Sequence, residues 1–236
     1  MIKAIFFDWF NTLAHYDPPR EEVYCSAFKE QGIEISFDQA YRGLLEGDRQ
    51  FFSLKARGLV KYKHLSEVED VLTLYPLAIC NAAAISASPD IQLKVIRRAL
   101  QHFDSRMILY EDVLPLFKEL KKRNYILGII TNADQSVLKL INGLGLSSYL
   151  NTVITSEQAG AAKPDAAIFK AAYAQAGLNP QEMVYVGDQY KSDILGANRA
   201  GSHGILIDRF GLASEIADCH RITALIQLLE YIKVLG

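Results

Sequence analysis

The chain has 236 residues, 50% of them hydrophobic and 22% charged, with a formal net charge of -2. That balance excludes a disordered chain and is enough for one substantial core or two modest ones. A near-neutral charge gives no support to broad electrostatic binding of nucleic acid, for which a basic face is expected.

The first predicted element is a strand. Ile2, Ala4, Ile5, Phe6 and Phe7 form a nearly unbroken apolar run, as in a strand buried on both faces of a parallel sheet. It follows Met1 too closely to leave room for a signal peptide, so a cytoplasmic location is expected. The run stops at Asp8, with Trp9, Phe10, Asn11 and Thr12 after it. A carboxylate at the end of a buried strand stands where open α/β sheets bind ligands. Asp8 reads equally as a turn former or a helix cap.

Pro18 and Pro19 then make a stiff turn. Beyond it the periodicity is helical, with four helices predicted over 21–31, 37–57, 65–84 and 90–103 and no strand among them. Ser36 and Ser88 supply N-terminal signals. The most apolar segment, 72–87, is shorter than a spanning helix and is interrupted by Pro76 and Asn81, so no membrane partner is expected. This block interrupts the sheet and is expected to form a helical domain, 15–103, over the strand ends. The α/β domain is assembled from 1–14 and 104–236.

Val113, Leu116, Phe117 and Leu120 define one face of the next helix, with Glu111 and Asp112 at its start and Lys121, Lys122 and Arg123 at its end. A strand over 125–130 runs into Thr131 and Asn132. A helix over 135–144 and a short strand over 152–155 follow. Lys163 and Pro164 open a helix that reaches Ala176, with Gly177 as its stop. A strand over 182–186 leads to Gly187 and Asp188, with Asp193 five residues further on. Helix 192–200, strand 203–207 and an amphipathic helix over 222–234 complete the chain. Strands alternating with helices at this spacing imply an α/β fold with a doubly wound parallel sheet.

Several chemistries lack their residues. Cys25, Cys80 and Cys219 are widely spaced with no CxxC pattern, which suggests neither a disulfide framework nor a zinc site. No two of the five histidines stand at a metal-ligand spacing, and there is no GxGxxG or GxxxxGK[ST].

What remains is an Asp at one strand end (Asp8), a Thr at a second (Thr131), a Lys before a helix (Lys163), and Gly187-Asp188 with Asp193 trailing. In this order these motifs resemble those of the haloacid dehalogenase (HAD) superfamily, and they cover most of the chain. The resemblance implies a HAD-like core with an inserted helical cap, and Asp8 as a nucleophile that attacks phosphorus. It implies that Thr131, Asn132 and Lys163 hold the transferring phosphoryl oxygens. Thr12 either orders the nucleophile loop or caps the next segment. If the strand ends converge, three carboxylates face one ammonium, and two like charges at about 4 Å repel by on the order of 4 kcal/mol at an effective dielectric near 20. Mg2+ would balance them. By resemblance Asp8, Asp188 and the backbone carbonyl of Phe10 ligate it, while Asp193 holds waters or Lys163. The plainer reading of Asp188 and Asp193 is that they cap the helix that follows.

One position departs from the pattern. The family's phosphatases carry a second Asp two residues after the first, where this chain has Phe10. General acid–base catalysis is worth about 10²- to 10⁴-fold, and a phenyl ring can supply none. Three readings follow. The preferred one, because the carboxylates imply a metal, is a Mg2+-dependent phosphatase acting on a small phosphate ester or similar anion. It would be slow or limited to leaving groups that need little protonation, unless His15 or a cap residue serves as the acid. The second is a metal-independent 2-haloacid dehalogenase, with Arg42 or Arg49 as candidates for the substrate carboxylate. Those enzymes have Ser-Ser-Asn in place of Gly187-Asp188 and Tyr at the position of Phe169. The third is a non-catalytic phosphate-binding module. A phosphonate-cleaving relative also lacks the second Asp and has Trp beside the nucleophile, as Trp9 is here. It needs a cap lysine, for which Lys55, Lys61 and Lys63 are candidates.

Overall fold

Among the described residues, 1–56, 58–60, 71–101 and 106–235 of this computed structural model, the strands in chain order are β1 (Ala4–Phe7), β2 (Ala14–Asp17), β3 (Arg106–Leu109), β4 (Ile126–Thr131), β5 (Thr152–Thr155), β6 (Met183–Gly187), β7 (His203–Ile207) and β8 (His220–Ile222). Six of them form one sheet in the order β5-β4-β1-β6-β7-β8. Every pairing in it is parallel. From β1 the chain fills one side of the sheet with β4 and β5, then crosses to the other side with β6, β7 and β8. That reversal beside β1 is a topological switch point, where sheets of this type open a crevice at the carboxyl ends of the strands. Phe7 lies level with Ile129 of β4 and Val186 of β6, so Asp8, Thr131 and Asp188 leave the sheet along one edge.

The apolar runs read from the sequence are buried on both faces because side chains alternate along a strand. Ile5, Phe7, Leu127, Ile129, Val184 and Val186 join one cluster, with Val113, Leu116, Phe117 and Leu120 of helix Val113–Lys122. Ala4, Phe6, Ile130 and Tyr185 join a second, with Ile168, Phe169 and Ala172 of helix Ala166–Ala176. Helices therefore cover both faces, as a doubly wound sheet requires. Gly128 of β4 makes room for the ring of Phe6, which a Cβ there would approach to 2.3 Å.

The chain divides into two compact units, Met1–His15 with Met107–Gly236, and Tyr16–Arg106. The second is helical, with Arg20–Lys29, Phe37–Ala56, Leu74–Ala82 and Pro89–Gln101. Val23, Tyr24, Phe28, Leu44, Tyr75, Ile79, Val95 and Ile96 form its core. Within it Arg20 and Asp48 form a two-pronged ion pair at 3.0 and 2.7 Å, and the Tyr75 hydroxyl donates to Asp48 at 3.0 Å. Arg57, the beginning of the helix expected over 65–84 and the end of that expected over 90–103 lie outside the described residues, as do Lys61 and Lys63. Among the described residues no helix is long and apolar enough to cross a membrane.

Three strands escaped the sequence reading. β2 and β3 pair with each other in a separate two-stranded sheet, and each is four residues long and only partly buried, too short for a periodic signal. β8 occupies the start of the expected terminal helix, which forms only at Leu228–Leu235 after a single tight turn, Leu225–Gln227. The helix after Lys163 also starts later than expected. Asp165 caps it by accepting from the Ala167 N–H at 2.9 Å, and Gly177, at φ 67°, ends it.

Candidate active site

The loop after β1 is a tight reversal. Asn11 N–H donates to the Ala14 carbonyl at 2.7 Å, and the Leu13 and Ala14 N–H groups both donate to the Trp9 carbonyl at 2.9 and 3.1 Å. Asn11 has a φ of 57°, and Asn is one of the few residues that accept left-handed backbone. Arg209, just past β7, secures the loop by donating to the Thr12 carbonyl from Nη2 at 2.7 Å and from Nε at 3.2 Å. The guanidinium also pairs with Asp112 at 3.0 Å and lies 3.6 Å from the centroid of the Tyr110 ring.

Lys163 is at the centre of the site. Its Nζ donates to Asp8 Oδ1 at 2.6 Å, to Asp193 Oδ1 at 2.6 Å and to the Tyr185 hydroxyl at 2.9 Å. All four side chains are buried, and the ammonium's three protons are thereby matched to three acceptors. Asn132 fixes the backbone beneath it. Its Oδ1 accepts from Lys163 N–H at 2.7 Å and its Nδ2 donates to the Lys163 carbonyl at 3.1 Å. Both ends of the Asn132 amide thereby contact the backbone of Lys163. Thr131 Oγ1 accepts from the Ala133 N–H at 3.3 Å, an arrangement that keeps the hydroxyl proton available to donate.

Asp193 sits in a wide helical turn, Tyr190–Ile194, that precedes helix Leu195–Arg199. Turns of this kind often occur at functional positions. Its Oδ2 accepts from the Gln189 N–H at 2.9 Å while Oδ1 faces Lys163. Gly187 lets this carboxylate approach β6, since a Cβ at 187 would come within 2.4 Å of it.

Asp188 is different. Both of its carboxylate oxygens are buried without a hydrogen-bond partner, so it caps no helix. Such an arrangement is costly for an anion. One oxygen from each of Asp8, Asp188 and Asp193 can lie within 4.8 Å of the others. Burial, then the neighbouring carboxylates of Asp8 and Asp193, hold the Asp188 carboxyl well above the usual carboxylate range. Burial also pushes Asp8 up to about 6, although Lys163 opposes the rise. Burial alone would lower the Lys163 ammonium, but Asp193 and Asp8 more than offset it and the net shift is upward. Three oxygen donors with an excess of negative charge could hold a hard divalent cation.

The remaining candidates are accounted for as follows. Thr12 is buried and its Oγ1 has no partner, so it neither caps a helix nor bonds the loop. Phe10 is half-buried against the cluster that holds Trp9 and Leu13. His15 packs its ring on that of Tyr110, with 4.4 Å between centroids. Arg42 and Arg49, in the helical unit, are exposed and paired with Asp38 and Glu46. Tyr185 and Arg209 were missed. A tyrosine within the run Met183–Gly187 reads as core, and a loop arginine carries no periodic signal.

The doubly wound sheet gathers a strand-end aspartate, a braced lysine and two further aspartates at its switch point, and its architecture is that of an α/β hydrolase. The model for haloacid dehalogenase-like hydrolases matches residues 2–201, and the chain belongs to that family. It is 32% identical over 216 residues to a glyceraldehyde 3-phosphate phosphatase of Methanopyrus kandleri, covering 89% of this chain and 85% of that protein. It is 27% identical over 209 residues to a ribulose-1,5-bisphosphate 5-phosphatase of Halopiger xanaduensis, covering 88% and 85%. Among solved structures, a 2-haloacid dehalogenase from Pseudomonas syringae pv. Tomato superposes with a TM-score of 0.59 at 26% identity over the whole of both chains.

Proposed function

We propose that this hydrolase is a Mg2+-dependent phosphatase that acts on a small phosphorylated metabolite through a covalent intermediate on Asp8. The observation that carries this reading is Asp188, whose two buried oxygens lack any partner beside Asp8 and Asp193. A buried carboxylate without a partner is costly unless a cation compensates it. The two phosphatase relatives act, by name, on phosphorylated sugars or sugar derivatives, which favours the same chemistry.

Bound by Asp8, Asp188 and the backbone carbonyl of Phe10, with Asp193 holding waters or Lys163, Mg2+ would neutralise charge on the phosphoryl oxygens. The other Asp8 oxygen attacks phosphorus, and the bond to the leaving oxygen breaks with its electron pair departing on that oxygen. Lys163 and the Thr131 hydroxyl stabilise negative charge on the transferring group. Asn132, Asp193 and Tyr185 fix Lys163 in place.

The second reading, 2-haloacid dehalogenase, is favoured by Phe10 alone among the site residues, because a departing halide needs no proton. A ligand that binds only the native state stabilises it by RT ln(1 + [L]/Kd), about 2.7 kcal/mol at a hundredfold excess over Kd. Mg2+ is therefore expected to raise the melting temperature of the wild type and to leave Asp188→Ala unchanged. The increment should grow from pH 5.5 to pH 8, because the Asp188 carboxyl must lose its proton to ligate. Equal Mg2+ responses in wild type and variant, followed by differential scanning fluorimetry, would place the metal elsewhere.

A further inference from the structure

We propose, resting on the reading of Asp8 as the nucleophile, that Arg209 is a positioning residue for the reaction. It fixes the far end of the loop that aims the Asp8 carboxylate, and so acts on turnover through backbone rather than through the reacting atoms.

The loop is anchored at its start, where the Asp8 N–H donates to the Val186 carbonyl of β6 at 2.8 Å. Its internal bonds, from Asn11 to Ala14 and from Leu13 and Ala14 back to Trp9, make it a compact reversal. They do not fix how that reversal is tilted on the sheet. The tilt is set from outside, at two consecutive carbonyls. That of Thr12 accepts from Arg209 Nη2 at 2.7 Å and Nε at 3.2 Å, and that of Leu13 accepts from the Tyr110 N–H at 3.1 Å.

Arg209 is itself held on every side. Its Nη2 and Nη1 donate to the two oxygens of Asp112 at 3.0 and 3.2 Å, and Asp112 in turn accepts from the Leu225 N–H at 2.8 Å. The guanidinium lies over the Tyr110 ring, and only 9% of the side chain is exposed. One residue earlier, the Asp208 N–H donates to the Ile222 carbonyl at 2.8 Å and ties the end of β7 to β8. A planar guanidinium carries donors on two edges and can serve a carboxylate and a carbonyl together, whereas an ammonium is a point charge without that fork. Arg209 thus passes the rigidity of the sheet to the loop. The consequence for rate is large, because a misplacement of about 1 Å in a reacting group costs about 10²-fold.

The test compares wild type with Arg209→Ala in two measurements: phosphate release from acetyl phosphate under saturating Mg2+, and backbone hydrogen exchange in chelator. Per folded molecule, the variant should lose about 10²-fold in kcat while KM stays within about twofold, as for an interaction that places the nucleophile rather than binds substrate. Added guanidinium chloride at millimolar concentration should restore part of kcat, and ammonium chloride should not. The amides of Leu13, Ala14 and Tyr110 should exchange at least about tenfold faster, with those of β1, β4 and β6 unchanged. Should that variant not fold, Arg209→Lys, which keeps the charge beside Asp112 without the fork, should show the same split with a loss of about tenfold. Wild-type kcat per folded molecule, or loop amides as protected as in wild type, would overturn the proposal and leave the phosphatase reading standing. If the wild type releases no phosphate, the phosphatase reading fails instead, and the kcat comparison is made on halide release from 2-chloropropionate, where Asp8 is also the attacking group. No turnover of either substrate by the wild type would overturn both.

Discussion

Asp8→Asn is expected to lose about 10⁴-fold or more in turnover, because the amide keeps the shape of the carboxylate but lacks the anionic oxygen that must bond to phosphorus. The fold should survive, and in chelator it should be at least as stable as the wild type at pH 7. Asp8 is buried, with its carboxyl pushed up to about 6, so its charge is held at a cost among Asp188 and Asp193. Removing that charge relieves repulsion, although one bond from Lys163 is weakened. Phosphate release and a urea melt on the same preparation check both halves. A variant that retains full activity would end the covalent mechanism.

Lys163→Met should have the largest effect on stability. Its ammonium is 2.6 Å from both Asp8 and Asp193 and is buried. Removing one partner from a buried ionic cluster typically costs about 3–5 kcal/mol. The sign of the pH dependence follows from the carboxyls. Asp8 and Asp188 are raised in the folded protein, so between the ordinary carboxylate range and their folded values the native state holds more protons than the unfolded chain, and stability falls as pH rises. Loss of Lys163 raises both further. In chelator the deficit of the variant against wild type should therefore be small near pH 4 and grow through pH 6 to pH 7. A deficit independent of pH would mean that Lys163 contributes by packing rather than by charge.

The sheet was legible where strands are buried on both faces. β1, β4 and β6 are apolar runs that stop abruptly at a polar residue, and those stops supplied Asp8, Thr131 and Asp188. Lys163 and Asp193 carry no such local mark and were found through the order of motifs along the chain. Short, partly buried strands such as β2 and β3 span only four residues each, too few for a periodic signal. The support of the site was less legible than its chemistry. Tyr185 looks like core because it is core except for its hydroxyl. Arg209 reaches the Thr12 carbonyl across 197 positions of sequence, a separation no local pattern records. Asn132 was found as a residue, but its two bonds to the Lys163 backbone were not, since the direction of an amide depends on that tertiary contact.

The central claim is phosphoryl transfer supported by a divalent cation, and it is tested most directly by two assays on the wild-type protein with the Asp8→Asn variant as the control. One measures phosphate release from acetyl phosphate with Mg2+ and with chelator. The other measures halide release from 2-chloropropionate under the same two conditions. Phosphate release that requires Mg2+ and Asp8, with no halide released, is the predicted result. Halide released in chelator through Asp8, with no Mg2+-dependent phosphate release, would contradict the account and identify a dehalogenase.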